Sequence, residues 1–283
     1  MVTVSAQAGS QMGRRIYQNP PVHEIVLDLQ FAEEAPLPSV EAFPNIVGTE
    51  FGTPAPVSRI STHSLVGSIR SSVTSRPPKQ EFWGWDLVDR DRRRVSTVTA
   101  DQLTQHFLRS DGWPEGPYSG WESSAEPFLK LLEAAAHLFE NLVVRRAGLR
   151  YVNRIAVPRE SDLETWFRVV PAPLESLNGL WELSVSRTWK EAPGFPGLSG
   201  TVSIMLTQDD LAEEDLQSRS DLEEVAVTLD IDVFNFWVNK APQLSEVPEW
   251  IERAHRLEHT IFRSCITPAL EERFGILEDL EDT

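Results

Sequence analysis

The sequence predicts an α+β fold, an antiparallel sheet carrying two long helices, and three observations lead there. Apolar and polar residues alternate with a period of two over 22–31, 147–158 and 225–234, as in a strand with one covered face. Apolar residues recur at helical spacing in Phe128, Leu131, Leu132, Ala135, Leu138, Phe139 and Leu142, and again in Trp250, Ile251, Ala254, Leu257, Ile261 and Phe262. Strand runs followed by a long helix occur twice, which suggests two pseudo-repeated halves of roughly 140 residues within one compact unit. The division expected is a disordered lead-in at 1–14, a first α+β half at 15–158, a second at 159–275 and an acidic tail at 276–283.

The stretch Ala147–Pro158 is expected to be the central strand. Leu149, Tyr151, Asn153 and Ile155 fall on one side and Arg150, Val152 and Arg154 on the other, until Pro158, which has no N–H to give, ends the ladder. From the start of the chain, Met1–Gly13 is small and polar, a composition that orders poorly. Pro20 and Pro21 then hold the chain extended ahead of a first strand, Val22–Phe31, with Ile25, Leu27, Leu29 and Phe31 on one face. Prolines at 36, 38, 44, 54 and 56 favour irregular structure, with room for a short helix near Ser39–Ile46. Glu81–Asp89 and Arg94–Ala100 read as an antiparallel hairpin, and Gln102–Leu108 as an extension of its second strand. Ser123 or Ser124 is the expected cap of the following helix, with Glu126 in its first turn. In the second half Asp162–Val169 reads as a short helix, Trp181–Arg187 and Gly200–Thr207 as strands, and Val225–Phe234 as the strongest strand. Pro268 is expected to kink or restart the last helix.

Composition bounds the function. With 41% apolar and 24% charged residues over 283 positions the chain can bury a sizeable core, and nine Trp and thirteen Phe against three Met make that core aromatic. A net charge of -17 and a pI near 4.8 repel nucleic acids and anionic membranes, so neither is expected as a general partner, though a local basic strip stays open. A single cysteine, Cys265, excludes an internal disulfide framework and a Cys-rich zinc site and makes the cytoplasm the default location. No apolar run reaches the about 18 residues of a membrane span, and Met1–Ser10 lacks the basic start and apolar core of a signal peptide. From Glu271 to Thr283 six acids stand against Arg273 alone, a solvated tail or a docking element for a basic partner.

Two motifs carry a resemblance. Arg15-x-Tyr17-x-Asn19-Pro20-Pro21-Val22-x-Glu24 ahead of a strand, followed by Gly148-Leu149-Arg150-Tyr151-Val152-Asn153-Arg154-Ile155-x-x-Pro158 and later by Leu229-Asp230-Ile231-Asp232, resembles a sporadically distributed, uncharacterised prokaryotic protein family over nearly the whole chain. Relatives in that family usually carry a Gln/Arg/Asp-rich strand leading to Asn-Trp-Arg and Tyr-Pro, where this chain has Val98–Arg109 and then Trp113-Pro114. The resemblance supplies no catalytic residues. Its patchy distribution implies a horizontally moved locus of the phage-defence or toxin–antitoxin type.

Several constellations bear on chemistry. Asp230 and Asp232 share one strand face, about 7 Å apart, and such a carboxylate pair suits a hard cation. Arg150 and Arg154 also share a face, so if the two strands are neighbours the four charges form a cross-strand ladder, while alone the arginines would anchor an anionic ligand. His255 and His259 sit one helical turn apart with Glu258 between them, the inverse of the common metalloprotease order, and read as core-edge histidines. Asp209, Asp210, Glu213, Glu214 and Asp215 lack the glycine and terminal glutamate of a calcium loop. Arg90, Arg92, Arg93 and Arg94 form a basic cluster at the hairpin tip, suited to phosphate or an acidic surface. Cys265, among Ile261, Phe262 and Ile266, reads as a buried, inert thiol. No Ser elbow and no Gly-rich phosphate loop occurs.

Three readings follow. The favoured one is a non-enzymatic binding or sensor protein that engages a protein partner, encoded by a neighbouring gene, through its sheet face, the arginine hairpin or aromatic anchors at Trp83, Trp85, Trp113 and Trp121. The second is an enzyme or ligand-binding protein with a site at Asp230, Asp232, Arg150 and Arg154; the third is a nucleic-acid-associated regulator using Arg90–Arg94. No cofactor or metal is expected in the favoured reading, and a homo-oligomer stays open.

Overall fold

The structure, a computed structural model, describes residues 14–47, 52–61, 79–89, 94–108, 120–139, 141–158, 163–168, 182–192, 194–207, 224–237 and 241–280. The strands are β1 (Arg14–Tyr17), β2 (Val22–Phe31), β3 (Ala55–Ser61), β4 (Lys79–Val88), β5 (Arg94–Thr99), β6 (Gln102–Leu108), β7 (Val144–Pro158), β8 (Glu182–Trp189), β9 (Ser199–Thr207), β10 (Glu224–Phe236) and β11 (Ile276–Leu280). The helices are α1 (Leu37–Val47), α2 (Trp121–Leu138), α3 (Val247–Cys265) and α4 (Pro268–Phe274). The fold is α+β, as the alternation and helical spacing predict.

Among the described residues nine strands form one antiparallel sheet in the order β3-β4-β5-β6-β2-β7-β10-β9-β8. The long strand read as central is β7, flanked by β2 and β10. Register aligns one parity of residues into a continuous apolar layer. Ile25, Leu27 and Leu29 stand beside Tyr151, Leu149 and Ala147, which in turn stand beside Ile231, Val233 and Asn235. Most of that layer is buried, together with Leu103, Val98, Leu87, Val202 and Ile204, because α1, α2 and α3 pack upon it. At roughly 2 kcal/mol for each large apolar side chain, this layer is the main source of stability. Phe43 and Phe139 stack at 6.1 Å and Phe31 meets Phe139 edge-on at 6.0 Å, where α1 and α2 close the β2 end.

Local chemistry explains where the expectations needed correction. The short helix near 39–46 exists and spans Pro44, which has no N–H to return to the Val40 carbonyl; Trp85 Nε1 supplies that bond instead, at 3.1 Å. α2 begins at Trp121 with Gly120 at its N-cap, so Ser123 and Ser124 lie inside the helix; the Ser124 hydroxyl donates to the Gly120 carbonyl at 3.2 Å. Gln102–Leu108 is a separate strand, turned back on β5 at Ala100–Asp101. Within Asp162–Val169 the described part is a single 3-10 turn, Leu163–Thr165. The last helix does restart at Pro268.

Part of the expected acidic tail is a strand, while the expected lead-in lies outside the described residues except for Arg14. Ile276–Leu280 pairs antiparallel with Arg14–Tyr17, joined to α4 through Gly275, whose positive φ of 68° suits glycine. Gln18 N–H to the Gly275 carbonyl, at 2.7 Å, closes this ribbon onto the body, and Tyr17 packs edge-on against Phe262 and Phe274. The sheet divides between β2 and β7, one strand earlier than the expected boundary at Pro158: β2 and β7 lie in the middle, and the strands after each fill inward from an edge. The two sides hold five and four of the described strands, and this shared wiring does not establish a duplication.

Candidate functional site

The second face of the sheet carries no described helix, and the register gathers charge there. β7 presents Arg146, Gly148, Arg150, Val152 and Arg154; β10 adds Asp230, Asp232, Phe234 and Phe236; β2 adds Glu24, Val26 and Asp28; β6 adds Thr104 and His106. The expected neighbouring of the Asp230/Asp232 strand and the Arg150/Arg154 strand is therefore real, with Asp232 opposite Arg150 and Asp230 opposite Val152.

The pairing is diagonal. Arg150 turns its fork onto Asp230, with Nε donating to Oδ1 at 2.8 Å and Nη2 to Oδ2 at 2.6 Å. The Asp230 carboxylate raises the Arg150 pKa further, against a smaller opposing effect of burial. Asp232 is left to Arg146, whose Nη2 lies 3.6 Å from Oδ2, while Nη1 of the same guanidinium donates to Asp28. Arg146 can bridge β2 and β10 because Gly148 provides a floor. A Cβ there would sit 2.8 Å from Nη1 and 3.0 Å from Nη2. The rings of Phe236 and Phe234, 5.5 and 5.8 Å from the guanidinium carbon, form its wall.

Burial pushes the Asp28 carboxyl above the usual carboxylate range, against the pull of Arg146 and the Thr104 hydroxyl. Burial also lifts the Asp232 carboxyl, with Asp230 and Asp28 adding to the rise and Arg146 and Arg150 opposing it. Nearby, His106 Nδ1 and Glu24 Oε1 are 2.7 Å apart. Each of the carboxylates Glu24, Asp28, Asp230 and Asp232 thus faces a basic side chain, an arrangement that ties strands together and displays a patterned polar surface. Arg154 is exposed one step further along, opposite Thr228. Asp28, Arg146, Gly148 and the Glu24–His106 pair escaped the sequence reading, although Arg146 shares the parity of Arg150 and Arg154.

The hairpin cluster is different. Arg92 and Arg93 lie outside the described residues, as does Arg90. Arg94 is engaged within the hairpin: its backbone N–H and Nε donate to Asp89, at 3.2 and 3.0 Å, and Asp89 is only 8% exposed. The tryptophan anchors need correction for the same reason. Trp121 is 3% exposed, Trp85 is half-buried with its N–H on Val40, and Trp83 packs against the core with its N–H on Asp101 and Arg59 over its ring at 4.4 Å. Trp113 lies outside the described residues.

Beneath the sheet, His255 stacks on Trp121 at 4.3 Å, and its Nδ1 is 3.2 Å from the Tyr151 hydroxyl. This places it in the core between α2, α3 and β7. Among the described residues no group of three or more His, Cys, Asp or Glu is arranged to hold a metal ion. Glu258, on the same buried side of α3, is pushed up to about 8 by burial. Burial pushes the Cys265 thiol up to about 12, which leaves it protonated and unreactive.

No family model matches the chain, and no curated protein matches its sequence.

Proposed function

We propose that the protein is a non-enzymatic binding protein of the cytoplasm that engages a basic protein partner on the open face of its sheet. One observation carries the reading: the charged groups Asp28, Asp230, Asp232, Arg146 and Arg150 are satisfied by one another across three strands, which suits a pre-organised recognition surface more than a reaction centre. Arg150 remains 48% exposed above this layer, while Asp230 beneath it is 12% exposed, so a partner meets fixed charges. The net charge of -17 selects the sign of that partner, since its field accelerates encounter with a basic surface and opposes nucleic acid. The resemblance of the two motifs adds the setting: a mobile bacterial locus of the phage-defence or toxin–antitoxin type, with the partner encoded alongside.

Val152 is the position to test. It lies on the open face between Glu24 of β2 and Asp230 of β10, so Val152→Arg adds a cation that those carboxylates tolerate and a basic partner does not. Tagged wild type and variant are compared by affinity capture at low and high salt with mass spectrometry, and the captured protein is then titrated in purified form. The reading stands if a basic protein binds wild type, releases with salt and binds the variant at least about tenfold more weakly. Equal binding to the variant, or no basic binder, overturns it.

A further inference from the structure

Among the described residues the sheet ends in two edge strands, β3 and β8, and the two are built differently. β3 carries the features that stop edge pairing: Pro56, a register shift at Val57/Ser58, and Arg59 tied to Glu34 at 3.2 Å. β8 is eight residues long, contains no proline, and pairs with β9 without a register break. Among the described residues no strand pairs with its outer side.

We propose that β8 pairs antiparallel with β8 of a second copy of this chain, about a two-fold axis at Ser186, joining two sheets into one. The order of residues in β8 is complementary to itself about that point. Antiparallel pairing centred on Ser186 sets the backbone of Val185 opposite Arg187, Ser184 opposite Thr188 and Leu183 opposite Trp189 of the second copy. In that register a hydroxyl residue stands opposite a hydroxyl residue at Ser186 itself, and Val185 stands opposite Arg187.

The faces also match. Ser186 and Thr188 already belong to a hydroxyl row on the open face, with Ser203 Oγ donating to Ser186 Oγ at 3.2 Å and the Thr188 and Thr201 hydroxyls 3.1 Å apart. Across the two-fold axis that row continues through β9-β8-β8-β9. Val185, Arg187 and Trp189 lie on the helix side, aligned with Ile204, Val202 and Gly200. The two Arg187 residues stand on a diagonal, each facing a Val185, so no like charges are directly opposed.

The test uses the full chain in light scattering coupled to gel filtration at micromolar concentration. Wild type is expected at twice the 31.9 kDa of one chain. Ser186→Lys and Ser186→Glu each place like charges opposite themselves and are expected to run as single chains, whereas mixing the two sets Lys against Glu and restores the doubled mass. Ser58→Lys on β3 is the edge control and is expected to keep the doubled mass; far-ultraviolet circular dichroism of each variant checks folding. A single-chain mass for wild type, a doubled mass for both Ser186 variants alone, loss of it in Ser58→Lys, or failure of the folded variants to recombine each overturns the proposal. The first of these would leave β8 to another occupant.

Discussion

Replacing Glu258 by Gln should remove a steep pH dependence from the stability of this protein. Glu258 is 4% exposed on the inner side of α3, and burial alone lifts its carboxyl from 4.5 to about 8. In the unfolded chain the group ionises near 4.5, whereas in the folded chain it keeps its proton until about pH 8. Over that window the folded state binds one more proton than the unfolded state, so unfolding becomes easier by roughly 1.4 kcal/mol for each unit of rising pH. The stabilisation is fully present below pH 4.5 and lost through pH 8, about 5 kcal/mol over the whole interval. Gln fills the same volume and does not titrate. Urea unfolding followed by tryptophan fluorescence at pH 5, 6, 7 and 8 should show Glu258→Gln gaining on wild type by roughly 1.4 kcal/mol per pH unit. Histidines and other acids occur in both proteins and cancel in the difference. Parallel curves for the two proteins would refute a buried, proton-holding Glu258.

Gly148→Ala drives a Cβ to within 2.8 Å of Arg146 and should cost about 1–3 kcal/mol in urea unfolding; in an Arg146→Ala background the cost should disappear, and additive losses would show that the floor and the guanidinium are uncoupled. Gly84→Ala has no flexible neighbour to displace: its Cβ falls on the Val98 carbonyl oxygen and 2.7 Å from Thr99 Cα, so β4 and β5 must part, with a loss of about 3 kcal/mol or more and a lower thermal midpoint. Arg150→Ala cuts a half-exposed pair and should change stability by no more than about 1 kcal/mol, a loss that shrinks further in high salt; a much larger loss would mean Asp230 depends on Arg150 in the way that Asp28 depends on Arg146.

The strands were legible because a period of two survives in any sheet with one covered face. Ile25, Leu27, Leu29 and Phe31 announce β2, and Tyr151, Asn153 and Ile155 announce β7, whatever their neighbours are. The Asp230–Arg150 relation was half legible: parity places each on a definite face, and adjacency of the two strands makes them partners. Asp28 was illegible as a site residue, because its partner Arg146 is 118 residues away and only the order β2-β7-β10 brings them together. Tryptophans misled for a related reason. Trp83 and Trp85 were expected as anchors for a partner, yet a helix spanning Pro44 and the side chain of Asp101 take up their N–H groups.

By itself the sequence determined the fold class, most strand and helix positions, an interruption at Pro268, and the sign of the electrostatic field, since each depends on local period, local backbone chemistry or a sum over residues. Tertiary structure alone decided which strands are neighbours, that β1 and β11 meet as a ribbon, that Arg150 is diagonal to its partner, and that β3 and β8 are the edges among the described strands. Those outcomes come from contacts between residues far apart in the chain, where the free energy of burying a shared face selects one pairing among many that the local pattern allows equally.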